Sequence, residues 1–207
     1  MLLEKNVFRS NAALGTLITE TGSPYGSGGG AILVGAHGST IRGNLFEGNL
    51  ASTYMVGNGG GLTVQQTDNF SATGNTFRGN WAVFRHVYNT QLTARGGGLF
   101  LFLVKYSRIQ ENTFESNYGA FWQSDTSMRA GGGGLATNAL EEVAISGNLF
   151  RANVGSGHAA GLGGALLAGD NSLGPVLLAD NTFEQNQASL TGSGSLGGRS
   201  ASERTTP

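Results

Sequence analysis

The chain has 207 residues, with 36 Gly, 3 Pro, no Cys, 12% charged residues and a formal net charge of −1. Glycine runs at more than twice its average share of about 7%, and charge at about half the usual quarter. The near-neutral balance argues against a phosphate-driven nucleic-acid partner, the longest apolar run (Leu99–Val104) is far short of the roughly 20 residues a membrane helix needs, and the lack of cysteine removes disulfides and thiolate metal sites. Gly, Pro and Ser together approach the level of disordered chains, but 39% of residues are hydrophobic and the glycines recur periodically, which argues for a folded repeat.

In chain order, Asn6–Asn11 opens the pattern Asn-x-Phe-(Arg/Glu)-x-Asn, which returns at Asn44–Asn49, Asn75–Asn80, Asn112–Asn117, Asn148–Asn153 and Asn181–Asn186. Its phenylalanines, Phe8, Phe46, Phe77, Phe114, Phe150 and Phe183, are spaced by 38, 31, 37, 36 and 33 residues. Between them stand glycine runs leading into apolar stretches: Gly28–Val34, Gly59–Val64, Gly96–Val104, Gly131–Leu135 and Gly163–Leu167. From the last Gly of a run to the next motif Asn the distance is 14 residues in four cases; in the fifth it is 17, with Asp170–Pro175 reading as an insertion. The return from motif to glycine run floats between 9 and 16 residues, through segments 12–27, 50–58, 81–95 and 118–130. After Thr191 the chain reads as a flexible Gly/Ser-rich tail or linker.

A fixed half and a free half decide the architecture. Within the fixed half apolar residues alternate (Ala31/Leu33, Leu62/Val64, Leu99/Leu101), and Ile41, Ile109, Ile145 and Leu178 stand three residues before a motif Asn. Period two with frequent glycine predicts strands, three short ones in the fixed half, with a loop of free length closing each circuit. The expected fold is all-β, a right-handed parallel β-helix of about six coils over residues 1–190 with variable loops on one side.

Stacking explains the motif. The repeated Phe predicts an interior aromatic column. Asn44, Asn49, Asn75, Asn80, Asn112, Asn117, Asn148 and Asn153 predict amide ladders between strands about 4.8 Å apart, and asparagine also suits the left-handed turn conformation between coils. Glycine runs suit corners where backbones bend or approach closely. The residue after each Phe alternates strictly, Arg9, Glu47, Arg78, Glu115, Arg151, Glu184, so that each charge meets an opposite one on the next rung.

These motifs resemble the polymorphic outer-membrane protein repeats of autotransporter-type bacterial surface adhesins, in which Phe-x-x-Asn pairs with Gly-Gly-Ala-(Ile/Leu/Val). Gly29-Gly30-Ala31-Ile32 and Gly163-Gly164-Ala165-Leu166 match the second motif, while Leu62, Leu99 and Leu135 stand where the family has Ala. More broadly the chain is similar to right-handed parallel β-helix proteins, which include polysaccharide lyases and hydrolases, adhesins and phage fibres. The resemblance implies a secreted or cell-surface location. No apolar leader core precedes the first motif, so the chain reads as a fragment, a domain of something longer or a mis-started gene.

Chemistry is fainter. There is no Gly-x-Ser-x-Gly elbow, no His-Glu-x-x-His and no phosphate loop with Lys, and no cofactor is expected. Seven residues after each glycine run a turn column reads His37, Asp68, Lys105, Glu141, Asn171, with Glu142 and Asp170 beside it. The column reads as solvated turn charges, with Glu141, Glu142 and Asp170 the weak candidates for Ca²⁺. The segments of free length hold the stronger candidates: Tyr54, Trp81, Arg85, Tyr88, Tyr118, Phe121 and Trp122, with Tyr25 and Phe84, rimmed by His86, Arg95, Asp125 and Arg129. Trp81 and Tyr118 each directly follow a motif Asn and so share a column. An aromatic row with a polar rim suits a glycan or a protein surface.

Three functions follow as expectations: a structural or adhesive surface module without catalytic residues, a polysaccharide-active β-helix enzyme, or a fibre unit stacking end to end. The first motif begins five residues into the chain, so the first coil is expected to pair with another chain or a preceding segment, unless loop 12–27 folds back over it.

Overall fold

The computed structural model describes residues 1–14, 25–53, 56–86, 94–123, 130–158, 161–169 and 173–190. Among them there is no helix, and every strand pairing is parallel, joining one repeat to the next. Five strand columns run the length of the molecule. The first holds Leu2–Glu4, Thr40–Arg42, Ser71–Thr73, Arg108–Gln110, Val143–Ser146 and Val176–Ala179. The second is the motif itself, Val7–Arg9, Leu45–Glu47, Thr76–Arg78, Thr113–Glu115, Leu149–Arg151 and Thr182–Glu184. The third holds Ala12–Leu14, Leu50–Ser52, Trp81–His86, Tyr118–Gln123, Val154–Ser156 and Gln187–Ser189. The fourth and fifth hold Tyr25–Ser27, Val56–Asn58, Ala94–Arg95, Ala130–Gly131 and Gly161–Leu162, then Ala31–Val34, Leu62–Asp68, Leu99–Lys105, Leu135–Glu141 and Leu166–Ala168. The result is a parallel β-solenoid of five complete coils and three strands of a sixth.

The interior follows from the motif. Register pairs each Phe with its counterpart one repeat on, and Phe46, Phe77, Phe114 and Phe150 are fully buried. Their rings stack with centroids 4.7 to 4.9 Å apart, the strand spacing itself. Phe8 and Phe183 end the column, the first half-buried and the second 41% exposed. Ile41, Leu62, Leu99, Leu101, Ile109, Leu135 and Ile145 complete this core from the first and fifth columns.

Two amide ladders flank the rings. Asn80 donates from its backbone N–H and its Nδ2 to Asn117 Oδ1, both at 3.0 Å, and Asn117 Nδ2 donates to Asn153 Oδ1 and to the Phe77 carbonyl. The same pattern runs from Asn44 through Asn75 and Asn112 to Asn148 on the other side. Each buried amide thus satisfies itself and a carbonyl of the preceding coil.

The left-handed corners fall elsewhere than expected. No motif asparagine has positive φ; the residue before each one does, Lys5, Gly43, Gly74, Glu111, Gly147 and Asp180 on one side, and Ser10, Gly48, Gly79, Ser116, Ala152 and Gln185 on the other. Asparagine is needed for its side-chain bonds, which an extended backbone presents along the stack. The glycine runs do serve as corners. Gly96 takes φ of 65°, and a Cβ on Gly97 would collide with the Tyr118 carbonyl of the third column.

A second correction concerns the return segments. They are largely strands, the third and fourth columns, which press together over a small core of Ala82, Val83, Ala94, Ala120 and Ala130. Alanine and glycine let the two backbones approach: a Cβ on Gly57 would strike the Ala82 carbonyl.

Candidate functional site

The third column lies on the flank where repeat length varies. Its two longest strands, Trp81–His86 and Tyr118–Gln123, sit side by side with Trp81 opposite Tyr118 and Arg85 opposite Trp122. Small residues, Ala82 and Ala120, face the alanine core, which leaves the large rings on the outside.

Those rings form a connected strip. Phe84 and Phe121 stack with centroids 5.5 Å apart and planes 8° from parallel, 40% and 37% exposed. Trp81 meets Phe84 edge-on at 5.9 Å, and Tyr118 meets Phe121 in the same way at 5.8 Å. The His158 ring stands edge-on to Phe121 at 6.4 Å, extending the strip into a third coil. Edge-to-face and offset-stacked pairs are the geometries aromatic quadrupoles favour. Trp81 Nε1 is enclosed without an acceptor among the described residues.

Arg85, next to Phe84 in its strand and opposite Trp122, is exposed, while Arg95, on the fourth column, is half-buried, its guanidinium pKa lowered by desolvation. Among the described residues no carboxylate approaches either within ion-pair distance. Of the other candidates, Tyr54, Tyr88, Asp125 and Arg129, and the side chains of Tyr25, His86 and Trp122, lie outside the described residues.

Four members of the turn column line up, His37 beside Asp68, Asp68 opposite Lys105, and Lys105 opposite Glu141, while Asn171 lies outside the described residues. His37 Nδ1 accepts the Asp68 backbone N–H at 3.1 Å. Lys105 Nζ lies 2.7 Å from Glu141 Oε2, and the Tyr106 hydroxyl donates to Glu141 Oε1 at 3.2 Å. The Lys105 hydrogen bond holds the Glu141 carboxyl below its usual range, and Glu141 in turn raises Lys105 and Tyr106. Glu141 is therefore committed to its neighbours. Glu142 occupies a left-handed corner, Asp170 lies outside the described residues, and no cluster of three metal-ligating side chains occurs among the described residues.

The alternating column beside the Phe stack also projects outward. Glu47 takes Arg9 Nε at 2.7 Å from one side and the Arg78 guanidinium from the other, and Arg151 reaches Glu115 Oε1 at 2.6 Å. The Arg78 bond, then the Arg9 bond, hold the Glu47 carboxyl below its usual range. These exposed pairs set register more than they add stability.

Sequence reasoning placed Trp81 and Tyr118 together and missed the Phe84–Phe121 stack. The signal was present: each Phe stands three residues beyond the paired ring, so the same register carries both.

A family model described as a right-handed beta helix region matches residues 25–201. No curated protein and no solved structure matches the chain.

Proposed function

The chain belongs to the right-handed β-helix family, and on that footing we propose that it works as a structural, adhesive binding module whose contact surface is the aromatic strip on the third column and whose ligand is a glycan. The observation that carries this reading is the exposed Phe84–Phe121 stack, buttressed edge-on by Trp81 and Tyr118. Exposing two stacked rings forfeits apolar burial, and a rigid sheet holds them in place at fixed spacing. An exposed aromatic stack with Arg85 beside it suits the apolar surfaces and peripheral hydroxyls of a sugar chain.

Size favours a glycan over a protein. Two rings at these exposures offer at most a few hundred Å², well under the ~800 Å² per partner of a stable protein interface. A cell-exterior location rests on the motif resemblance alone.

An immobilised glycan panel tests the proposal, comparing wild type with the Phe84→Ala/Phe121→Ala double variant. Retention of defined glycans by wild type and its loss in the variant, with unchanged melting, is expected. No retained glycan, or equal retention by both proteins, sinks the reading.

A further inference from the structure

The fourth and fifth columns meet at an inside corner. Arg95 follows Ala94 in its strand, and Ala94 belongs to the alanine core, so the Arg95 side chain turns away from the third column. In register its row reads Ser27, Asn58, Arg95 and Gly131. On the fifth column the row that alternates with the core residues Leu62, Leu99 and Leu135 reads Thr63, Phe100, Ala136 and Leu167. The two rows touch at both ends. Ser27 Oγ lies 3.1 Å from Thr63 Oγ1, and a Cβ on Gly131 would lie 2.8 Å from Leu167 Cδ2. Register therefore sets Asn58 against Phe100 and Arg95 against Ala136.

Ala136 is a notch in its row, between Phe100 and Leu167, and Gly131 places no side chain beside Arg95. Arg95 is half-buried at this notch, and among the described residues its guanidinium has neither a carboxylate nor any other hydrogen-bond partner. Asn58, one rung away, gives no relief: its Oδ1 is enclosed and accepts nothing. A desolvated cation without a counter-charge is costly, and that cost shows in the lowered guanidinium pKa. Beside it, the buried Phe100 and the half-buried Phe102 lie with centroids 6.4 Å apart and planes within 9° of parallel. The corner thus holds an uncompensated cation next to a partly open aromatic ring.

We propose that this corner is a binding site for a small carboxylate with a flat apolar body, its oxygens held by the Arg95 guanidinium and its ring set against Phe102. Two N–H groups of the planar guanidinium fork match the two oxygens of a carboxylate. Neither row supplies a second cation, so one negative charge balances the site and a phosphate dianion is left half-compensated. Phe100 and Phe102 supply the apolar neighbour that a ring-bearing acid needs and a bare anion does not. The site is separate from the aromatic strip, whose rings stand on the third column.

The test uses the full chain and benzoate, with benzamide as its neutral counterpart, acetate as a carboxylate without a ring, and inorganic phosphate. Melting and NMR titration are the two readouts. Millimolar benzoate should raise the wild-type melting temperature and shift the Arg95 and Phe102 side-chain resonances. Benzamide should do neither, and acetate and phosphate should bind at least about tenfold more weakly. Arg95→Met keeps the apolar stem and removes the cation. Without ligand it should melt at or above the wild-type temperature, and it should lose the benzoate response. Arg95→Lys, a point charge in place of the fork, should weaken benzoate by about tenfold. The Phe84→Ala/Phe121→Ala variant should bind benzoate like wild type, which separates this inference from the glycan reading. Benzamide that matches benzoate, a benzoate response that survives Arg95→Met, a wild type that does not respond, or an Arg95→Met that melts well below wild type overturns the proposal.

Discussion

Phe77 and Phe114 are 37 residues apart in sequence and lie ring on ring, centroids 4.9 Å apart and planes within 5° of parallel. The contact shows how one coil is made: a single repeat returns the chain to the same point one strand spacing higher, and the strongest interior contacts are between equivalent residues. Stability is therefore passed from coil to coil.

Removing a middle ring should cut that transmission. Phe114→Ala leaves a cavity between Phe77 and Phe150 and should cost about 3–5 kcal/mol, read as a lowered denaturant midpoint. The same change at the exposed Phe183 should cost far less. Equal effects at the two sites would mean that the column carries no special weight.

The amide ladder makes a parallel prediction. Asn117→Ala strands the Asn80 backbone N–H in a buried setting, at about 1–3 kcal/mol, and takes the side-chain donor from the Phe77 carbonyl. Asn11→Ala removes a part-buried Nδ2 donation to Asn49 Oδ1 and leaves the backbone N–H bond in place, and should be several-fold milder. Chemical denaturation of the two variants side by side reads the difference.

Glycine positions separate space from backbone conformation. Gly97→Ala drives a Cβ into the Tyr118 and Gly133 carbonyls and should cost more than about 4 kcal/mol, in the range of severe core disruption. Gly74→Ala meets nothing within 4 Å and should cost only the left-handed backbone preference, about 1–2 kcal/mol. Lys5, Glu111 and Asp180 already fill the Gly74 position in other coils, which is why a side chain there is tolerable.

The Phe columns, the amide ladders and the parallel coil were legible in the sequence because one residue type repeats at each of those positions. The left-handed corners were not, since Lys, Gly, Glu and Asp share one and Ser, Gly, Ala and Gln the other; the constraint is on φ, and no residue type announces it. The third and fourth columns escaped for a different reason. Ala82, Ala94, Ala120 and Ala130 build a core from small side chains, with no alternation of large apolar residues to mark the strands. The aromatic strip was half legible. Counting one residue past Asn80 and Asn117 pairs Trp81 with Tyr118, but Phe84 and Phe121 meet only because those return segments are strands in register.

The outward charges predict a pH and salt signature. The arginines lower the Glu47 pKa in the folded state, so the stability it contributes is present above the ordinary glutamate range and is lost as pH falls through that lowered value. The stability difference between wild type and Glu47→Gln should therefore hold at neutral pH and close under acid. Glu47→Arg, which lines up Arg9, the new cation and Arg78, should destabilise more than Glu115→Arg, in which Arg151 alone loses a bonded partner, and added salt should narrow both effects. Measured midpoints that ignore salt would deny the column its electrostatic role.

The most direct test of the binding face is amide hydrogen exchange of the wild-type protein with and without a retained glycan. The account predicts added protection in Trp81–His86 and Tyr118–Gln123, the two strands that carry the aromatic strip, and none in the turn column at His37, Asp68, Lys105 and Glu141. Protection that appears at that turn column and leaves the two aromatic strands unchanged would contradict it.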